Sequence, residues 1–138
     1  MNATKIIVQT VVNAGIPKVW DAYTQPEHIT QWNFADPSWH CPQASNDMKV
    51  GGKYTARMEA KDGSFGFDFE AIYDDVVDGK SFTYTLDDGR KVSTEFEPIG
   101  NQTKVTTTFD AEQQNPVDMQ KQGWQAILNS FKRYVEES

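Results

Sequence analysis

The sequence has 138 residues, 12% of them aromatic, and a formal net charge of −7. Residues 61–115 carry twelve acidic and five basic side chains, which argues against nucleic acid or an anionic membrane surface as a partner, because both are held mainly by basic side chains. No apolar run reaches 18 residues, so no membrane span is expected.

Strand and helix periodicities alternate in the first third of the chain. Apolar side chains alternate over residues 5–13 and predict a first strand. Two short helices are predicted over residues 17–25 and 26–33, each opened by a proline. Residues 33–47 are the least periodic, with one short strand predicted near 39–43. This aromatic-rich segment either borders a binding site or plugs one end of the core.

The middle of the chain has a period of two. From Tyr54 onward, aromatic and other apolar side chains alternate with charged ones, and hairpin turns such as Asp62-Gly63 and Asp88-Gly89 interrupt the pattern. These turns separate five strands of an antiparallel meander, with one aromatic face and one charged face. With the two earlier strands, six or seven are predicted in one sheet.

A long helix is predicted over residues 116–136. Its buried stripe comprises Gln120, Trp124, Ile127, Leu128, Phe131 and Val135. A helix covers a band only ~10 Å wide, whereas six or seven strands span roughly 25–30 Å. The sheet must therefore coil around the helix. Either side chains fill the interior, or a gap remains that a small apolar ligand can occupy.

Sequence length and cysteine content set two further expectations. We expect residues 1–138 to form a single domain. The one cysteine, Cys41, rules out an internal disulfide, and no apolar signal region precedes the first strand. These features predict a cytoplasmic protein.

Residues suited to catalysis are few. His40 and Cys41 are adjacent, but neighbours in an extended segment point to opposite faces and are poorly placed to share a proton. Two histidines and one cysteine do not make a typical zinc site. His40 and Glu59 remain candidates for acid–base chemistry inside a pocket. We expect no cofactor, no metal and no catalytic residue.

Several local motifs, in order, resemble one known family. They are Val19-Trp20, Thr24-Gln25-Pro26-Glu27, Trp32, the run from Asp47 to Tyr54, Arg57-Met58, Asp62-Gly63, Asp88-Gly89-Arg90, Gly123-Trp124, Leu128 and Phe131. Together they resemble the SRPBCC superfamily, which includes START and birch-pollen-allergen-like proteins. The likeness is greatest to the AHSA type, related to the activator of heat-shock protein 90 ATPase. Gly15 departs from the family, which often has proline there.

This resemblance implies an α+β helix-grip fold, in which an antiparallel sheet encloses an apolar pocket beside the C-terminal helix. Members of the superfamily bind lipids, sterols, plant hormones or polyketide-like molecules, so a small apolar or amphipathic ligand is the expected partner. The residues expected to line the pocket are Trp32, Phe34, Trp39, Met58, Phe67, Phe69, Tyr84, Phe96, Trp124 and Leu128. Two alternatives stay open: a co-chaperone-like module that contacts a chaperone in the stress response, and a polyketide-cyclase-like enzyme.

Overall fold

A computed structural model describes residues 4–137 and contains one sheet with three helices. The sheet is antiparallel throughout, with strand order β1-β7-β6-β5-β4-β3-β2. The strands are β1 (Lys5–Val12), β2 (Trp39–Asn46), β3 (Lys53–Ala60), β4 (Gly66–Val77), β5 (Ser81–Leu86), β6 (Lys91–Ile99) and β7 (Gln102–Asp110). The predicted helix-grip architecture and its seven-stranded form are confirmed.

The helices also lie where the sequence predicts them. They are α1 (Ile16–Thr24), α2 (Pro26–Trp32) and α3 (Val117–Glu137). Pro17 and Pro26 occupy the first turns of the two short helices, where a missing backbone N–H costs no hydrogen bond. The Trp32 indole N–H donates to the Ala22 carbonyl at 2.9 Å and joins α2 to α1. None of the helices in the described part of the chain has the length and apolarity needed to cross a bilayer.

The hairpin turns of the meander follow from glycine conformation. Gly63 and Gly89 have φ of 78° and 91°, in the left-handed region that favours glycine. Along the strands that these turns connect, apolar side chains alternate with charged ones, which gives the sheet a charged outer face. On this face Arg57 of β3 contacts Asp68 of β4 at 3.4 Å. The opposite face carries the core. Side chains with less than 2% exposure include Phe109 on β7 and Phe131 on α3.

Helix α3 is fastened along β1, one of the two edge strands of the sheet. An edge strand leaves a row of backbone groups without a strand partner. The Gln125 side chain donates to the Gln9 carbonyl at 3.1 Å, and the Lys132 ammonium donates to the Val11 carbonyl at 2.7 Å. Polar side chains of α3 therefore pair with the Gln9 and Val11 carbonyls on the free edge of β1. This fixes the helix over one side of the sheet and leaves room towards β3, β4 and β5.

Candidate functional site

A cavity of about 270 Å³ lies between α3 and the sheet. Side chains from β1, α1, α2, β2, β3, β4, β5, β7 and α3 line it, together with Asn33, Arg90 and Glu112 from connecting loops. Seven of the ten residues predicted to line a pocket do so: Trp32, Met58, Phe67, Phe69, Tyr84, Trp124 and Leu128. The helix side of the wall is held by Trp124, whose ring stacks on Phe109 at 4.1 Å and meets Phe69 edge-on at 6.3 Å.

The other three predicted residues lie elsewhere. Phe96 packs against the Trp20 ring of α1 at 5.0 Å, because β6 lies beneath that helix. Trp39 is at the start of the edge strand β2 and contacts Phe65 at 5.9 Å on the surface. Phe34 follows α2 and is half-buried in the loop that leads to β2. None of the three is among the lining residues.

The lining also includes polar groups that the sequence prediction did not assign to the site. The residues added by the structure are Val8, Tyr23, Asn33, Asn46, Tyr54, Tyr73, Phe82, Arg90, Thr107, Glu112 and Ile127. The period-two pattern of the strands and the apolar stripe of α3 predict the inward orientation of Tyr54, Tyr73, Phe82 and Ile127. No signal in the sequence marked Asn33 and Asn46, which lie at the ends of α2 and β2.

Four tyrosines bring hydroxyl groups into this apolar space. These cavity tyrosines are Tyr23, Tyr54, Tyr73 and Tyr84. The Tyr73 hydroxyl donates to Asn46 Oδ1 at 2.7 Å, and the Tyr54 hydroxyl accepts from Asn33 Nδ2 at 3.4 Å. The Tyr84 hydroxyl makes no hydrogen bond within residues 4–137. No described side-chain polar atom is both sealed off and unpaired, so this hydroxyl must be open to the cavity.

Burial raises the pKa of every cavity tyrosine. For Tyr84 the cause is desolvation, followed by the neighbouring phenol groups of Tyr54, Tyr23 and Tyr73, and its pKa is well above the usual value. For Tyr23, hydrogen bonds with the Thr107 and Thr94 hydroxyls partly offset the effect of burial on the pKa. The cavity therefore presents neutral phenol groups at physiological pH.

The mouth of the cavity is marked by lining residues that also reach solvent. Phe67 on β4 is 42% exposed, and Arg90 and Glu112 are partly exposed. The Arg90 Nε donates to Asp88 at 2.7 Å, so this cation is already paired with a surface carboxylate. Polar and charged groups thus border the entrance, whereas aromatic rings and hydroxyls occupy the interior.

The residues considered for catalysis lie outside the cavity. His40 contacts Glu59 at 3.5 Å, but both side chains are about 40% exposed on the sheet surface. Cys41 is buried, and burial raises the pKa of its thiol, which disfavours the reactive thiolate. Within the described residues, no group of three or more His, Cys, Asp or Glu side chains is placed to hold a metal ion.

The fold of this chain recurs in known proteins. A family model described as activator of Hsp90 ATPase homolog 1-like protein matches residues 13–136. The solution structure of an AHSA1-like protein from Aeromonas hydrophila is 40% identical, with a TM-score of 0.91 over 97% of this chain and 93% of that chain.

Two further solved structures extend the comparison. Chr148 from Cytophaga hutchinsonii is 49% identical, with a TM-score of 0.84 over 96% of this chain and 92% of that chain. CV1439 from Chromobacterium violaceum shares the fold at 21% identity, with a TM-score of 0.84 over 96% of each chain. No curated protein matches the chain.

Proposed function

Because the chain belongs to the family of activator of Hsp90 ATPase homolog 1-like proteins, we propose that it binds a small apolar or amphipathic molecule in the cavity beneath α3. In general terms, family and fold support a ligand-binding or co-chaperone-like domain. The observation that carries the ligand proposal is the cavity itself. Its walls are mostly aromatic and aliphatic, and it opens to solvent beside Phe67.

The size of the cavity sets the class of ligand. An engineered apolar cavity of about 150 Å³ already takes up benzene, so about 270 Å³ suits a molecule of one or two rings. A ligand with roughly the area of a tryptophan side chain, about 250 Å², gains about 6 kcal/mol at ~25 cal/mol per Å². This gain alone corresponds to a Kd of about 40 μM. The entropy of association offsets part of it, so simple aromatic probes should bind more weakly, with Kd values from about 0.1 mM into the millimolar range.

A neutral two-ring dye, dansylamide, tests the proposal. Its emission should rise when it enters the wild-type cavity, and Leu128→Trp should reduce the rise because the added ring occupies the same space. Phe65→Ser is the matched control, since Phe65 is 60% exposed and does not line the cavity. If Phe65→Ser abolishes the emission while Leu128→Trp keeps it, the dye binds the surface and the ligand proposal fails.

A second candidate, protein interaction, is favoured by one surface feature. Trp39 on β2, Phe67 on β4 and Phe65 just before β4 form an aromatic edge patch, with ring centroids 5.9–6.2 Å apart. Phe65 and Phe67 are 60% and 42% exposed. Exposed aromatic groups of this kind are enriched where proteins meet. Co-sedimentation with a purified Hsp90-type chaperone, compared between wild type and Phe65→Ser, tests this reading, and equal binding of the two proteins refutes it.

A further inference from the structure

We propose that the cavity selects a neutral, mainly aromatic molecule bearing one hydrogen-bond acceptor, such as a carbonyl oxygen, and that the Tyr84 hydroxyl donates to that acceptor. This inference rests on the proposed ligand-binding function and specifies the chemical class of the ligand. It assigns Tyr84 the role of a specificity-determining residue, in addition to its place in the cavity wall.

The Tyr84 ring is held in one position. Four aromatic rings surround it, at centroid distances of 5.8–6.1 Å: Tyr54, Phe69, Tyr73 and Phe82. The residue is only 7% exposed. A side chain packed in this way presents its hydroxyl at a fixed point, so hydrogen bonding to a ligand costs little conformational entropy.

The Tyr84 hydroxyl differs from those of its neighbours because none of the described residues forms a hydrogen bond with it. The Tyr73 hydroxyl donates to Asn46, and the Tyr54 hydroxyl accepts from Asn33. Because this hydroxyl of Tyr84 is open to the cavity, it can donate to an acceptor on a bound ligand. Because burial holds the Tyr84 pKa well above its usual value, the proton remains available for donation.

The charge of the ligand follows from the same surroundings. Among the described lining residues, Arg90 is the only cation, and its Nε is already paired with Asp88 at the mouth. A carboxylate moved to the depth of Tyr84 would lose its hydration without gaining a cation, which is costly. A neutral acceptor avoids this cost. The cavity should therefore discriminate against anions of the same shape.

Three naphthalenes of similar shape test the proposal: 2-acetylnaphthalene, 2-ethylnaphthalene and 2-naphthoate. Titrations of wild type and Tyr84→Phe are followed by amide chemical shifts. Tyr84→Phe should weaken binding of the ketone about 3- to 10-fold, the usual contribution of one hydrogen bond. It should leave binding of the hydrocarbon unchanged. Taking the ratio of variant to wild type for each probe cancels differences in solubility.

Tyr134→Phe is the matched control. It removes the same atom from α3, but from a hydroxyl that contacts His28 Nδ1 at 2.6 Å and does not line the cavity. This variant should keep the wild-type preference. Equal ratios for ketone and hydrocarbon in Tyr84→Phe, or tighter binding of naphthoate than of the ketone to wild type, overturn the inference and leave the proposed function standing. If wild type binds none of the three probes, both fail.

Discussion

The substitution Leu128→Trp probes the cavity directly. Leu128 is 3% exposed on the inner face of α3 and lines the cavity, so a larger side chain there points into the open space. Val135 lies seven residues further along the same buried stripe, is 0% exposed, and is not among the lining residues. The same tryptophan introduced at the two positions therefore meets space in one case and packed atoms in the other.

The magnitudes follow from the volume available. The cavity of about 270 Å³ equals about nine water molecules at ~30 Å³ each, which is ample for an indole ring. Leu128→Trp should therefore lower the free energy of unfolding by at most about 1–3 kcal/mol, through imperfect fit. Val135→Trp has no such space and should cost more than about 3 kcal/mol, beyond the usual range for an overpacked core.

Urea denaturation measures both costs, and dye emission measures the remaining cavity. The expected result is a folded Leu128→Trp protein with reduced uptake of dansylamide and a Val135→Trp protein that unfolds at a markedly lower urea concentration. Equal destabilisation by the two substitutions would show that the space beneath α3 is filled. Undiminished dye uptake by a stable Leu128→Trp protein would place the dye outside the cavity.

Three further predictions concern stability. Tyr73→Phe leaves Asn46 Oδ1 without its donor and should lower the free energy of unfolding by about 1–3 kcal/mol. Tyr84→Phe removes no hydrogen bond between described residues and should be neutral or slightly stabilising, so equal shifts in Tm for the two variants contradict this prediction. The protonated cavity tyrosines stabilise the fold fully below their unfolded pKa of about 10, and this contribution is lost as the pH rises above that value. Tyrosinate absorbance from these residues should therefore appear only when circular dichroism reports unfolding. Contacts with Lys5 and the Lys91 N–H lower the pKa of Asp110, so the stability that its carboxylate contributes is present above pH ~4 and lost below it. Asp110→Asn should therefore lose less stability on acidification than wild type, and equal pH dependence of the two unfolding free energies from urea denaturation refutes this.

The fold could be predicted from the sequence because its signals are local. The apolar stripe recurs at helical spacing along α3, a helix of 21 residues. Asp62-Gly63 and Asp88-Gly89 mark turns, because the glycine of each pair adopts the positive φ that such turns need. Strand β2 is the least certain element in the sequence, yet it extends to Asn46. Its hydrogen bonds to β3 and contacts with α2 stabilise a segment that has no strand periodicity of its own.

The polar half of the site could not be predicted from local patterns. Asn33 and Asn46 enter the cavity because α2 and β2 end beside the tyrosines of β3 and β4, a juxtaposition set by tertiary packing. Phe96 points inward, as the alternation predicts, but Trp20 of α1 packs over its ring, so Phe96 does not line the cavity. Alternation gives the face on which a side chain lies. It does not give the part of that face that remains uncovered.

Native mass spectrometry of the protein purified from its own host tests whether the cavity holds a ligand. We expect a species heavier than the 138-residue chain by one small molecule, which is released on denaturation and absent from Leu128→Trp. That molecule should be neutral, with aromatic rings and a carbonyl or similar acceptor. A single species at the mass of the bare chain, in a protein that also binds none of the naphthalene probes, would contradict the proposal that the cavity binds a ligand.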